Sequence, residues 1–339
     1  MFKLNNPPVK SFIHFLRLVR WPNLLFIILA ESLFHFFIYK PLYPNLALTA
    51  DYPFYFIVAT SICIAAAGYI INDYFDVKAD RINKPHRLIV TKYLKRRWAI
   101  VAHWIFNFVA FAIAIYLSVK HNSFVYLFIH LLSINLLWFY SMHFKRKFAL
   151  GNIVIAGLTG LVPILVSIYF VNVFHLGLNE ESWFESLFRI GRDYFSFNPN
   201  ERDVSQLILN FGIAMGVFAF FTNLAREVVK DAEDVKGDLL LKARTIPIVM
   251  GFKKTDFIIK VLLIVPALLF TGFILFSQWL TAFEFLVVFA PIVLAVILHL
   301  SAILVIEYGN ETRKYKLSNH LLKISMLSGL FTPVYLVLL

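Results

Sequence analysis

The sequence is poor in charge and has almost no cysteine. Of its 339 residues, 15% are charged and 60% are hydrophobic, whereas soluble domains carry about 25% charged residues. Cys63 is the single cysteine, which excludes an internal disulfide and a cysteine-cluster metal site. The histidines show no repeated ligand spacing, and only His86 lies near an acidic motif. Neither a haem nor a zinc site is therefore indicated.

Long apolar runs are abundant instead. A transmembrane helix needs about 20 predominantly apolar residues, and nine segments approach or exceed this length. The pattern predicts an all-α integral membrane protein with nine transmembrane helices. The nine segments lie near 23–39, 54–72, 97–119, 122–141, 150–174, 206–226, 255–278, 282–307 and 318–338.

The net charge of +12 is concentrated in every second loop. Lys and Arg are frequent after the second, fourth, sixth and eighth segments and rare in the loops between them. The positive-inside rule therefore places the N-terminus and the basic loops in the cytoplasm, in a multi-pass protein of the cell (inner) membrane. No nucleic-acid-binding motif accompanies the charge, so we expect no nucleic-acid partner.

The interval 175–205 departs from this pattern because it mixes acidic, basic and aromatic residues. We interpret it as an extramembrane insertion. An amphipathic helix in the membrane interface and a plain surface loop both fit its composition.

Two acidic clusters stand where basic loops begin. At the end of the second segment, Asn72, Asp76 and Asp80 are spaced i, i+4, i+8 and form one helical stripe, with Asp73 beside it. At the end of the sixth segment, three further aspartates share a helical face, with two basic residues alongside. The members of this second cluster are Arg226, Lys230, Asp231, Asp234 and Asp238.

Clusters of this kind are costly unless a cation relieves them. Like charges one helical turn apart repel, and the repulsion grows near a low-dielectric membrane. Mg²⁺ prefers carboxylate oxygens together with waters and substrate phosphates, and the interleaved basic residues suit the outer oxygens of a diphosphate. The simpler interpretation of either cluster alone is a solvated helix end, but two matched clusters on one side favour a magnesium and diphosphate site.

The chain resembles the UbiA superfamily of intramembrane prenyltransferases. The first cluster is similar to the family's Asn-x-x-x-Asp-x-x-x-Asp motif, and the pair Asp234 and Asp238 is similar to its Asp-x-x-x-Asp motif. Shorter matches extend the resemblance over most of the chain. They are Arg20-Trp-Pro-Asn23, Tyr140-Ser141, Lys145, Gly151-Asn152, Arg244-Thr-Ile-Pro247 and Gly251.

This resemblance implies a single domain, 1–339, with nine helices around a central cavity, and a prenyl diphosphate donor held by Mg²⁺ as cofactor. It implies catalytic roles for Asp76, Asp80, Asp234 and Asp238. The implied metal-binding residues are Asn72, Asp73, Asp76, Asp80, Asp231, Asp234 and Asp238. The implied diphosphate-binding residues are Arg87, Lys145, Arg226, Lys230 and Arg244.

The acceptor is open between two membrane substrates. The run 226–238 looks most like the digeranylgeranylglyceryl phosphate synthases, which implies a geranylgeranyl donor and a geranylgeranylglyceryl phosphate acceptor. An aromatic acceptor of quinone or pigment synthesis is the alternative, because homogentisate prenyltransferases and chlorophyll synthases share related motifs. The loop after Arg87 also lacks the prolines and glycine that the family often has there, so it does not identify the subfamily. A non-enzymatic ion-binding transporter is the alternative from another class. It predicts acids in the middle of spans, whereas here they gather at one end.

Overall fold

The computed structural model describes residues 7–40, 51–83, 85, 88–121, 123–176, 204–276, 282–310 and 313–336, and the description below is limited to them. Within these ranges the chain is helical apart from turns and one isolated bridge between Val90 and Leu94. The predicted all-α class is therefore confirmed.

Twelve α-helices follow one another along the described chain. They are α1 (Pro7–Leu18), α2 (Trp21–Phe34, continued by a π-helical stretch His35–Tyr39), α3 (Asp51–Asn83), α4 (Arg96–Lys120), α5 (Val125–Met142), α6 (Leu150–Leu176), α7 (Val204–Leu240), α8 (Ile246–Met250), α9 (Phe252–Phe276), α10 (Ala282–Tyr308), α11 (Lys314–Leu330) and α12 (Thr332–Leu336). A short 3₁₀ turn, Phe144–Arg146, joins α5 to α6.

Membrane-spanning length is a property of most of these helices. Seven of the described helical segments are long and apolar enough to cross a bilayer, and large apolar side chains such as Phe108 and Leu268 are exposed on the outside of the bundle. Such side chains suit a lipid environment. The chain is a multi-pass membrane protein, and the count of nine spans stays a prediction. Most of the interval 175–205 lies outside the described residues.

The first two spanning helices run antiparallel. The start of α2 contacts the end of α3 through Arg20 and Asp73, while at the other end His35 stacks on Phe54 with ring centroids 3.9 Å apart. Aromatic rings, including Phe34, fill the core at that second end. The acidic motifs thus lie at the end of the bundle opposite to this aromatic core.

Helices α6 and α7 form the most extensive helix–helix contact in the described chain. Glycines allow their close approach: a Cβ placed on Gly160 would lie 2.7 Å from the carbonyl oxygen of Gly216, and the reverse distance is also 2.7 Å. Small residues serve this purpose in membrane helix pairs. The contact matters for the site because α6 carries Asn152 and α7 carries the second acidic motif.

We expect Gly160→Ala to destabilise the protein, because the added methyl group meets a backbone carbonyl that cannot rotate away. Overpacking of this kind costs about 1–3 kcal/mol. Gly157→Ala on the same helix is the matched control, since a Cβ there meets nothing within 4 Å. Thermal unfolding in detergent measures both variants. Equal melting temperatures for the two would contradict the proposed tight contact.

Candidate active site

The first acidic motif occupies the last turns of α3, and Asp76 is its most buried carboxylate. Asp76 is only 6% exposed, yet it has two donors. The side-chain amide of Asn72, one turn earlier, donates to Oδ2 of Asp76 over 2.8 Å. The ammonium of Lys145, from the turn between α5 and α6, donates to the same oxygen. Asn72 and Asp76 therefore lie on one helical stripe, as predicted. The ammonium of Lys145 neutralises the carboxylate of Asp76.

A second cation reaches the same motif from the start of α2. Arg20 has a left-handed backbone with φ of 51°, which is uncommon for a residue other than glycine. Its guanidinium donates to Oδ1 of Asp73 over 2.7 Å and lies over the ring of Tyr69, 4.9 Å from its centroid. Arg20 therefore fixes the position of Asp73 by ion pairing, a role that the local sequence did not reveal.

The second acidic motif occupies the last turns of α7. Asp231 accepts a hydrogen bond of 2.8 Å from the side-chain amide of Asn152 at the start of α6. Asp238 is buried and Asp234 is half-buried. The glycine-mediated contact of α6 with α7 brings Asn152 to this position, so helix packing orients the motif.

The two basic residues of the second cluster share one partner, Glu227. Arg226 lies 3.1 Å and Lys230 lies 2.6 Å from the carboxylate oxygens of Glu227. Arg226 also donates to the side-chain oxygen of Asn223 over 3.0 Å. Glu227 is 7% exposed, so its burial requires such partners. Its pairing with two predicted diphosphate ligands is a functional feature that sequence analysis missed.

The two motifs form one electrostatic unit. Helices α3 and α7 are in contact, and Lys145 interacts electrostatically with Asp76 and Asp80 of the first motif and with Glu227 beside the second. Burial is the largest single influence and disfavours the ammonium charge, but the charge and hydrogen bond of Asp76, together with the other negative groups nearby, raise the pKa of Lys145 above its ordinary value. Lys145 is therefore positively charged throughout the neutral pH range.

The residues of the first motif fit a magnesium ion. The side-chain carbonyl oxygen of Asn72 is buried and has no hydrogen-bond partner in the described part of the chain. It lies beside the Asp76 carboxylate, and both are the hard oxygen donors that Mg²⁺ prefers. Within the described ranges, no three acidic, histidine or cysteine side chains converge on one point.

The structure brings most of the predicted site residues to one end of the bundle. Those with described side-chain contacts there include Asn72, Asp73, Asp76, Asp231 and Lys145. Asp80, Asp234 and Asp238 lie on the same helix ends.

Two of the predicted diphosphate ligands, Arg244 and Arg87, have no described side-chain contact with the two motifs. The side chain of Arg244 is exposed, and only its backbone amide is anchored, donating over 2.8 Å to the carbonyl oxygen of Arg146. Arg87 lies outside the described residues.

The fold and the motifs define a polytopic helical membrane protein with paired carboxylate motifs at one end. Residues 24–326 match the model of the UbiA prenyltransferase family. The chain belongs to the UbiA prenyltransferase family, and the expected family resemblance is confirmed.

Archaeal relatives are similar over part of the chain. A digeranylgeranylglyceryl phosphate synthase of Thermococcus gammatolerans is 31% identical over 193 residues, which cover 57% of this chain and 55% of that protein. The synthase of Sulfurisphaera tokodaii is 32% identical over 204 residues, covering 60% of this chain and 59% of that protein. The matched region thus spans less than two thirds of these relatives.

Two solved structures share the fold over nearly the whole chain. A digeranylgeranylglyceryl phosphate synthase structure has a TM-score of 0.62 at 20% identity, covering 97% of this chain and 100% of that one. A UbiA homologue from Archaeoglobus fulgidus, bound to DMAPP and Mg²⁺, has a TM-score of 0.58 at 17% identity, covering 95% and 96% respectively. At these identities the structures support the fold of the described chain.

We expect Lys145→Gln to lower the thermal stability of the protein without added magnesium, because Asp76 loses its counter-charge. Removing one partner of a fully buried pair costs about 3–5 kcal/mol. The Lys145 side chain is 33% exposed, so the expected loss is smaller, about 1–2 kcal/mol. Added Mg²⁺ should restore part of it.

The matched control is Lys147→Gln, an exposed lysine of the same turn. Thermal unfolding of both variants, with and without Mg²⁺, measures the effect. Equal melting temperatures for Lys145→Gln and Lys147→Gln under both conditions would show that the ion pair of Lys145 with Asp76 does not stabilise the protein.

Proposed function

We propose that the protein transfers a prenyl group from a polyprenyl diphosphate to a membrane acceptor in a Mg²⁺-dependent reaction. The favoured donor is geranylgeranyl diphosphate, and the favoured acceptor is geranylgeranylglyceryl phosphate. The observation that carries the proposal is the convergence of two carboxylate motifs, with Lys145 between them, at one end of a helical bundle. Such a site matches a ligand that brings negative phosphate groups and divalent cations together.

Metal binding is assigned to the aspartates of both motifs and to Asn72. The residues that would hold Mg²⁺ are Asn72, Asp73, Asp76, Asp80, Asp231, Asp234 and Asp238. Bound Mg²⁺ would neutralise the charge that builds up on the departing diphosphate. Lys145 would bind the outer diphosphate oxygens once a metal has replaced it at Asp76, and Arg226 and Lys230, which Glu227 holds in place, would bind them as well. Arg87 and Arg244 complete the proposed set.

The proposed reaction breaks the bond between the allylic carbon and its phosphate oxygen, and the diphosphate leaves with the electron pair. The acceptor hydroxyl oxygen then forms a new bond to that carbon, and its proton passes to the released diphosphate. Fixed cations aimed at the leaving group stabilise the charge that develops there.

Two observations support a glycerol phosphate lipid as the acceptor. The run 226–238 resembles that of the digeranylgeranylglyceryl phosphate synthases, and the similar archaeal proteins carry that name. An aromatic acceptor of quinone or pigment synthesis is the alternative, since prenyltransferases with aromatic acceptors share related motifs. Both acceptors are lipid-soluble or interfacial and reach the site from the membrane.

An ion-binding transporter without chemistry is less well supported. One acid, Glu31, is fully buried in a spanning helix, one turn before the buried His35. A relay across the membrane requires several such groups in sequence. The acids of the two motifs instead lie at the ends of α3 and α7.

Membranes containing the protein should convert labelled geranylgeranyl diphosphate and geranylgeranylglyceryl phosphate into the doubly prenylated lipid, detected by mass spectrometry. An aromatic acid supplied in its place should give no product. Removal of Mg²⁺ by chelation should abolish transfer to any acceptor, because the leaving group would lose its neutralising charge.

Orientation is tested in the same assay, since the donor does not cross the bilayer. The site is proposed to face the cytoplasm, so inside-out vesicles should form product and right-side-out vesicles should not. Transfer to the aromatic acid with none to the glycerol phosphate lipid would overturn the favoured acceptor. No transfer to either would overturn the proposed reaction.

A further inference from the structure

A basic cavity lies beside the paired motifs, and none of its lining residues belongs to the proposed metal or diphosphate site. It is a half-open cleft of about 370 Å³ where the end of α3, the start of α4, the 3₁₀ turn and the end of α7 meet. Its wall includes four cationic side chains, from Lys78, Arg81, Arg96 and Arg146. Ligand pockets of small molecules typically start at about 300 Å³, so the space suits a phosphate-bearing headgroup.

The charges in this cavity lack an internal counter-ion. No carboxylate lines it in the described chain, and the side chains of Lys78, Arg81 and Arg146 form no ion pair with any described residue. The cations of the active site differ in this respect, since Lys145 pairs with Asp76. Unrelieved positive charge in a concave site concentrates its field on an incoming anion.

Part of the cavity is preorganised. The guanidinium of Arg96 donates to the carbonyl oxygen of Tyr74 over 3.2 Å and stacks on the Tyr74 ring, 4.4 Å from its centroid. The carbonyl of Arg146 is anchored by the backbone amide of Arg244. Guanidinium groups held in place present paired N–H donors to a phosphate at a low entropic cost.

Helix geometry separates this cavity from the diphosphate site. A helix turns about 100° per residue. Lys78 and Arg81 follow Asp76 by two and five positions, so they lie roughly 200° and 140° around α3 from it. The cavity and the stripe of Asn72, Asp76 and Asp80 therefore occupy different faces of one helix end. Arg146 directly follows Lys145, which keeps the two sites close neighbours.

We propose that the basic cavity is a second anion site, which binds the phosphate group of a lipid other than the prenyl donor. Two lipids share this chemistry. One is the phosphate-bearing acceptor, whose assignment rests on the proposed function. The other is an anionic phospholipid of the surrounding bilayer. Leu241 and Phe75 in the cavity wall provide apolar contact for the part of the lipid next to its phosphate.

Binding is measured first, independently of turnover. With the donor site saturated by magnesium diphosphate, inorganic phosphate should raise the melting temperature of the wild-type protein and of Lys253→Gln, an exposed lysine outside the cavity. The double variant Arg81→Gln, Arg146→Gln should lose this shift while melting normally without phosphate. An equal phosphate-dependent rise in melting temperature in all three proteins would overturn the proposal. The cavity cations would then serve only to set the orientation of the chain in the membrane.

Kinetics in nanodiscs then distinguish the two sources. If the acceptor's phosphate binds there, the double variant should raise the KM for the acceptor roughly tenfold or more, with the KM for the donor unchanged. If a bilayer phospholipid binds there, the wild type should be more active in anionic than in neutral nanodiscs, and the variant should lose that difference. Unchanged acceptor KM together with an unchanged lipid response would overturn the proposal.

An inactive wild type would refute the proposed function alone. The phosphate-dependent melting shift would still decide whether the anion site exists, because that measurement requires no reaction.

Discussion

The arrangement of the active-site end depends on the contact of Asp76 with Lys145 and Asn72. A carboxylate this deeply buried at the end of a membrane helix is unstable alone, because desolvation of a charge costs several kcal/mol. The ammonium of Lys145 compensates for it from a different part of the chain. The ion pair joins the turn between α5 and α6 to the end of α3. It also places Lys145 within electrostatic reach of Glu227 on α7.

The same principle holds throughout the two motifs. Asp73 pairs with Arg20, Asp231 accepts from Asn152, and Glu227 pairs with two neighbouring cations. Asp76 and Lys145, which we assign to Mg²⁺ and diphosphate, neutralise each other in the same way. In the proposed reaction, binding of a magnesium diphosphate would exchange these partners, with a metal at the carboxylate and phosphate oxygens at the ammonium. Such an exchange avoids a large net desolvation cost.

Short-range sequence patterns predicted much of this arrangement. Apolar run length gave the helical membrane class, and helical spacing gave the stripe that contains Asn72 and Asp76, because both depend on residues close in sequence. The partners Arg20, Asn152 and Glu227 were not assigned their roles. Arg20 and Asn152 lie 53 and 79 residues from the carboxylates that they contact, and such pairs depend on how helices pack. The close contact at Gly160 and Gly216 was likewise invisible to run length.

The most direct test of the account is a count of bound metal. Mn²⁺ can replace Mg²⁺ and be followed by electron paramagnetic resonance, with a non-reactive geranylgeranyl diphosphate analogue present. We expect Mn²⁺ to bind only together with the analogue, and Asp76→Asn and Asp234→Asn each to weaken this binding by at least tenfold. Glu307→Gln, which alters an exposed carboxylate paired with Lys260, should bind like the wild type. Undiminished Mn²⁺ binding in Asp76→Asn and Asp234→Asn would contradict the assignment of the two motifs as the metal site.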